Sequence, residues 1–592
     1  MGSKHSTAIP LPGFGLPLNH RQSFTDSRKR GVFPNALDPD DLQKSTVGHE
    51  NVQREINMMQ VMNAITDKPG WERKVFDEEI TAEWRHEVAQ SGQDVTPKMM
   101  DYIIKEMQWK AGVLREKGLV YAFDVGVVRS DTAVSPQLQQ RLREAVVPLE
   151  RIPASQKDYH PGSGGKVVDL VHPSLFPVVY GRTRILPEGR LTTTDCMESI
   201  GQGEVIPIPP AEETKQHWRR NAEDWNAYSR RFQWLPCDVE LPGEGGCRIV
   251  SYINNLHPAK YQPLYHTVEQ VITAAIPLWD SCLTEQRGFL NERIPYPKVE
   301  FLPHPDPEPK PRDEDDADSD EYCERHWDWL QSQPIKQPEP GGFSPPTESW
   351  RGPVDLRKDF REHGLQVIVK LANIELTAEN PDYEGGSWHI EGQLNERICA
   401  TALYYYDSQN ITESRLAFRQ RASQWCDVSY PQSQHEFLQA VYGFGPEVSG
   451  WGDTQITQDL GSVVCREGRM ITFPNTVQHR VLPFSLADRT QPGHRKILAV
   501  FLIDPHQRII SSANVPPQQE EWARERQELV RQLLSEKLPG ELQEMVSGKL
   551  SDEAMTMEEA KQYRLELMKE RGAKQTVQNE RFETGAFNLC EH

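Results

Sequence analysis

The stretch "EGGSWHIEGQLNERICATALYYYD", Glu384–Asp407, decides how this 592-residue chain is read. It opens on a glycine pair suited to a turn and closes on a β-branched and aromatic run typical of a strand. Between them stand His389 and Glu391, two positions apart. Side chains alternate faces along an extended segment, so both project to one side. Two ligands of a metal centre can come from one such tripeptide. Taken alone, such a triplet is usually a solvated or structural His and Glu on a strand.

The neighbouring sequence adds order to the triplet. "LQVIVKLANIEL" (365–376), "GSVVC" (461–465), "GRMITFP" (468–474) and "KILAVFLID" (496–504) are short strand-like runs separated by turn residues. They predict an α+β protein whose core, over 356–510, is a double-stranded β-helix (jelly-roll) barrel. Within "GRMITFPNTVQHRVLPF" (468–484), His479 follows a strand and a Pro-Asn turn, and supplies a third ligand. Two histidines and one carboxylate leave three positions of an octahedral ion open, which suits non-haem Fe(II). Zinc prefers a tetrahedral site richer in Cys or His. Downstream, "GHRKILAVFL" (493–502) starts a strand with Arg495 and Lys496. Either can meet the distal carboxylate of a 2-oxoglutarate co-substrate, and an Arg fork fits it bidentately. Parity does not choose, because both faces of that strand are apolar.

These blocks resemble the Fe(II)/2-oxoglutarate-dependent dioxygenases over residues 365–505. The resemblance rests on His389 and Glu391, on the block around His479, and on Gly493 two places before Arg495. It implies Fe(II) held by His389, Glu391 and His479 as the catalytic centre, with Arg495 binding 2-oxoglutarate. It also implies O2 as oxidant, succinate as a product, and a substrate that is hydroxylated, desaturated or cyclised. Glu391 stands where most of that superfamily has Asp, although members of the clavaminate-synthase type also use Glu. "SLADRTQPG" (485–493) lengthens the usual spacing from His479 to Arg495. Longer pieces, among them "SYINNLHP", "IPLWDSCL" and "NVPPQQEEW", resemble a fungal family of largely uncharacterised proteins catalogued as a domain of unknown function, of the DUF4246 type. That likeness spans most of the chain and favours one large unit.

Around the barrel, 1–45 is a Pro-, Gly- and Ser-rich arm. Residues 46–300 form a mixed helical and extended region packing on it, with helices expected in 52–116 and from Tyr261 to Leu283. Residues 301–355 are an acidic, Pro-rich insertion, and 511–592 a charged helical region broken at Pro539 and Gly540.

The net charge of −21 and pI near 5.4 argue against a bulk nucleic-acid or anionic-membrane role. No run suits a spanning helix and "MGSKHSTAIPLPGFG" lacks a secretory core, so a cytoplasmic protein acting on a small-molecule substrate is expected. Gly2 and Ser6 fit the short N-myristoylation pattern without a reinforcing signal. Nine cysteines form no CxxC pair, which disfavours zinc ribbons and disulfides. Walker, GxGxxG and GxSxG motifs are missing, and "GEGG" (243–246) is a turn.

Other polar residues have weaker claims. His257 and His266 suit packing or hydrogen bonding, and His494 lacks a strand-then-turn delivery. One of Tyr404–Tyr406 can face the co-substrate; Lys370 and Asn373 mark either a polar interior or a solvent face. A non-catalytic scaffold, or a cupin-like metal enzyme without 2-oxoglutarate, are the competing classes.

Overall fold

The computed structural model describes residues 10–21, 31–42, 47, 50–214, 227–243, 245–284, 292–314, 316–346, 352–422, 428–445, 448, 452–535 and 554–587. The myristoylation pattern and the break at Pro539–Gly540 lie outside the described residues.

In chain order, helices α1 (Gln53–Thr66) and α2 (Pro97–Lys117) precede a hairpin of β1 (Val120–Phe123) and β2 (Val127–Ser130). The Thr96 hydroxyl caps α2 by accepting from the Met99 amide, and Pro97 fits the first turn, where its missing N–H costs nothing. Next come α3 (Pro136–Glu150), β3 (Val167–Val171), β4 (Cys237–Glu240), β5 (Arg248–Ile249) and α4 (Gln262–Leu283). Val268, Val271, Ile272 and Ile276 form the buried stripe of α4, as their spacing predicts. The acidic insertion carries α5 (Asp320–Gln331), capped by Ser319. Its flanking segment docks on α1 and α2, where Glu339 meets Arg54 and Thr96.

The remaining strands are β6 (Leu365–Leu376), β7 (Asp382–Tyr383), β8 (Ile398–Gln409), β9 (Arg415–Arg421), β10 (Thr457–Val464), β11 (Met470–Pro474), β12 (Gln478–Val481), β13 (Phe484–Ser485) and β14 (Gly493–Ile503). Helices α6 (Glu520–Ser535) and α7 (Met557–Glu583) follow.

Nine strands form one sheet in the order β5-β4-β6-β14-β8-β11-β2-β1, with β3 also paired to β6. A second sheet runs β10-β9-β12, and β7 pairs with β13. All these pairings are antiparallel. The large sheet is covered on both faces, which explains why β6, β8 and β14 are nearly continuous in apolar residues. Val367, Val369 and Leu371 point to the outer face with α3 and α4. Ile368, Ala499 and Phe501 point inward, into a core shared with Phe418 and Val463 of the small sheet.

The protein is therefore α+β, with two antiparallel sheets facing across a core. Among the described residues they do not close into a continuous hydrogen-bonded barrel. The large sheet also draws β1 to β5 from the region expected only to pack against it. No helix of the described residues is long and apolar enough to cross a membrane. The seven described cysteines are all unpaired.

Candidate metal centre

The expected strand at "SWHIEGQ" is reduced to a single bridge. His389 and His479 exchange backbone hydrogen bonds, each amide donating to the other's carbonyl at 3.2 Å. Two glycines bend the chain around this point. Gly385 has φ +90° and its missing Cβ would lie 2.8 Å from the Val481 carbonyl oxygen. Gly392 has φ +77°, with a Cβ position 2.7 Å from Glu396 Oε2. Between them His389 and Glu391 do project to one side.

The three sequence-predicted ligands converge. Glu391 Oε1 lies 3.2 Å from His479 Nε2 and 3.7 Å from His389 Nε2, and all three ligand atoms fall within 4.8 Å of one another. Donors about 2.1 Å from one ion at right angles sit about 3 Å apart, so the set fits a facial metal site. His389 Nδ1 bonds the Ser387 carbonyl at 2.8 Å, which leaves Nε2 free to ligate. His479 is 5 % exposed and Glu391 13 %, whereas His389, at 35 %, faces the mouth.

Electrostatics agree with a cation-binding set. Burial alone would raise the Glu391 carboxyl, but hydrogen bonds to His389 and His479 and their charge hold it well below the usual carboxylate range. Burial, then the neighbouring His389, push His479 down to about 4, so its ring is neutral. Burial also opposes charging His389, yet Glu391 raises it above its ordinary value. In the absence of a metal, the Glu391 carboxylate thus favours a proton on the His389 ring.

Residues that sequence reasoning passed over hold this set in place. Asn475 clamps the Glu391 peptide from both sides: its Oδ1 accepts the Glu391 amide at 3.1 Å and its Nδ2 donates to the Glu391 carbonyl at 3.1 Å. Trp388 sits between the guanidiniums of Arg419 and Arg480, 4.7 and 4.5 Å from its ring centre. Its carbonyl accepts from Gln575 and Asn579 of α7, which lies across the mouth.

The register separates the two candidate cations. Arg495 pairs with Ile374 on the inner face, while Lys496 points outward to Glu150 and Asp407, each at 3.1 Å. Arg495 is 2 % exposed, donates to the Ser414 hydroxyl at 2.5 Å and lies against the rings of Tyr405 and Phe484. It has no carboxylate partner among the described residues. Of the tyrosine run, Tyr405 faces inward with the core of the small sheet, whereas Tyr404 and Tyr406 face α3 and α4.

The other candidates lie elsewhere. His257 packs on Trp522, His266 bonds Glu269, and His494 pairs outward with Asp407. Asn373 is outward and donates to Glu150, whereas Lys370 is inward. An open cleft of about 610 Å³ lies on the outer side beside Glu150, Asn373, His494 and Lys496 and is lined by none of His389, Glu391 and His479.

Two family models match the chain: one described as "Protein of unknown function (DUF4246)" over residues 97–526, and its N-terminal domain of unknown function over 11–87. No curated protein matches. Among solved structures, IDO from Bacillus thuringiensis is 11% identical, with TM-score 0.15, over 25% of this chain and 52% of that one. A bsmA homolog from Methylobium petroleophilum is 13% identical, with TM-score 0.14, over 25% and 46%. The chain spans about half the length of these structures. With the N-terminal match leading into the longer one, the chain belongs to the DUF4246 family of proteins of unknown function.

Proposed function

We propose that this protein is an Fe(II)- and 2-oxoglutarate-dependent oxygenase acting on a small molecule, built on a double-stranded β-helix. The observation that carries the reading is the pairing of a facial His389–Glu391–His479 set with a buried, carboxylate-free Arg495 on the inner face of the same pair of sheets. The strand order supports the fold: β6-β14-β8-β11 opposes β12-β9-β10, with the His389 bridge extending the smaller sheet.

Each residue then has a task. His389, Glu391 and His479 would hold the ion and leave it open positions for further ligands. Arg495 receives the distal carboxylate of 2-oxoglutarate. Phe418 of β9 pairs with His479, and Ser414, which touches Arg495, lies four residues earlier, just before β9 begins, roughly 13 Å at strand rise. Tyr405 and Phe484 cover the guanidinium and keep water from competing for it. Bound Fe(II) with 2-oxoglutarate and O2 supplies oxidation of a substrate C–H bond, with succinate and CO2 as co-products. Arg495 also favours this reading over a cupin-like metal enzyme, which needs no such cation.

Adding Fe(II) and then 2-oxoglutarate anaerobically tests it. Wild type should develop the visible metal-to-ligand charge-transfer band, His389→Ala should lack it, and Arg495→Met should need at least about tenfold more 2-oxoglutarate. Folded wild type without the band, or a full-strength band in His389→Ala, overturns the assignment.

A further inference from the structure

A second polar cluster stands on the inner wall. β3 pairs with β6 through a bulge, with Val171 opposite Leu371 but Asp169 opposite Ala372. The extra residue turns Asp169 to the inner face that Ala372 shares with Lys370. The Asp169 side chain is fully buried, bonds His160 Nδ1 at 2.8 Å, and leaves Oδ1 without a partner. The His172 ring lies 5.1 Å from that of His160.

The cluster has metal-site dimensions, with ligand atoms within 4.8 Å, yet its chemistry fits an anion better. His172 Nδ1 accepts the Ser174 amide at 3.1 Å, so the hydrogen of the neutral ring sits on Nε2, which then donates rather than ligates. Burial, then the charge of Lys370, push His172 well below its ordinary value and keep the ring neutral. Arg564 Nη1 lies 3.8 Å from Asp169 Oδ2, so the carboxylate is already engaged by a cation and by His160. The cations Arg564 and Lys370 beside it repel a metal ion.

Lys370 is the group left over. It is half-buried on the inner face, with no hydrogen bond or ion pair among the described residues, and the His172 Nε2–H likewise has no acceptor among them. Lys370 lies four residues along β6 from Ile374, the partner of Arg495, about 13 Å away at strand rise. Both side chains lie on the face of the large sheet that looks towards the small one. Its nearest carboxylate, Asp169, is already engaged by His160 and Arg564, so an ammonium drawn partly out of water here is costly, and a bound anion lowers that cost.

We propose that Lys370 and the His172 Nε2–H hold a carboxylate of the substrate, which makes the substrate class small carboxylic acids. This rests on the oxygenase reading of the metal centre. Asp169 fixes the His160 ring beside that of His172, and Arg564, anchored on Asp158 at 2.6 Å, bounds the cluster from α7.

Calorimetric titration of the full chain with Zn(II) and 2-oxoglutarate, using benzoate, hexanoate and 3-phenylpropanoate each beside its methyl ester, tests the assignment. At least one acid should bind about tenfold or more tightly than its ester; Lys370→Met should abolish that preference and Lys370→Arg restore part of it. Equal binding of acids and esters, no binding by any acid, or an unchanged preference in Lys370→Met overturns the proposal. The Fe(II) charge-transfer band, recorded on the same variants, separates the two readings. A band retained in Lys370→Met with the preference lost supports both. An acid preference that depends on Lys370 without any band sinks the oxygenase reading alone.

Discussion

Asn475 bonds both the N–H and the C=O of Glu391 through its side-chain amide, and so couples the turn before His479 to the segment carrying His389 and Glu391. Asn475→Ala should cost about 1–3 kcal/mol and weaken metal binding about 10–100-fold, read by thermal unfolding and Co(II) titration. Unchanged affinity would reduce Asn475 to a structural residue. Glu391→Asp should retain metal at lower affinity, whereas Glu391→Ala should lose it on dialysis; equal metal content in the two would remove Glu391 from the ligand set. At this scale His389, Glu391 and His479 were legible, because parity and chain order suffice to bring them together. Arg495 was legible only as one of two adjacent cations, since the choice depends on which face of β14 turns inward. His160, Asp169 and His172 were not: Asp169 and His172 are three apart, which puts them on opposite faces of a regular strand, and only the bulge in β3 reunites them.

Helix α7 shows why an element can be foreseen while its docking is not. Its contacts with the site are polar: Gln575 and Asn579 reach Trp388, and Arg571 lies 3.8 Å over the Trp234 ring while pairing with Glu396. Apolar periodicity marks a helix that buries a stripe, and α7 buries only Ala560, Leu567 and Phe582 beside the charged Arg564. The Glu396 side chain is fully buried and also accepts the Trp234 amide at 2.7 Å. Arg571→Met leaves that carboxylate without its cation and should cost about 3–5 kcal/mol in denaturant unfolding. Adding Glu396→Gln should recover part of the loss; a single variant as stable as wild type would show that the pair is dispensable.

Across the whole molecule, the region before the insertion and the one after it are tied by Asp280 of α4, whose Oδ1 accepts the Leu356 amide at 2.8 Å. Burial, with Asp355 and Asp359 nearby, raises the Asp280 carboxyl to about 7 against the opposing Leu356 bond. The folded state therefore holds this proton more tightly than the unfolded chain, where the pKa is about 4. The stabilisation is full below about pH 4 and is lost as pH rises through about 7. Asp280→Asn, which keeps the acceptor, should match wild type near pH 4 and exceed it by on the order of 2 kcal/mol at pH 8. A pH-independent difference in urea unfolding would refute the linkage. The fold class and the strands of 365–504 were legible from composition and turns. The membership of β1 to β5 in the same sheet was not, because runs of two to five residues carry too little pattern to name a distant partner.

The position of α7 in the chain has a further consequence for assembly. A ribosome completes His389, Glu391 and His479 well before it reaches Met557. The nascent protein thus owns a full ligand set while the mouth still lacks its covering helix. On the oxygenase reading, an ion therefore has an open route to these residues until α7 docks.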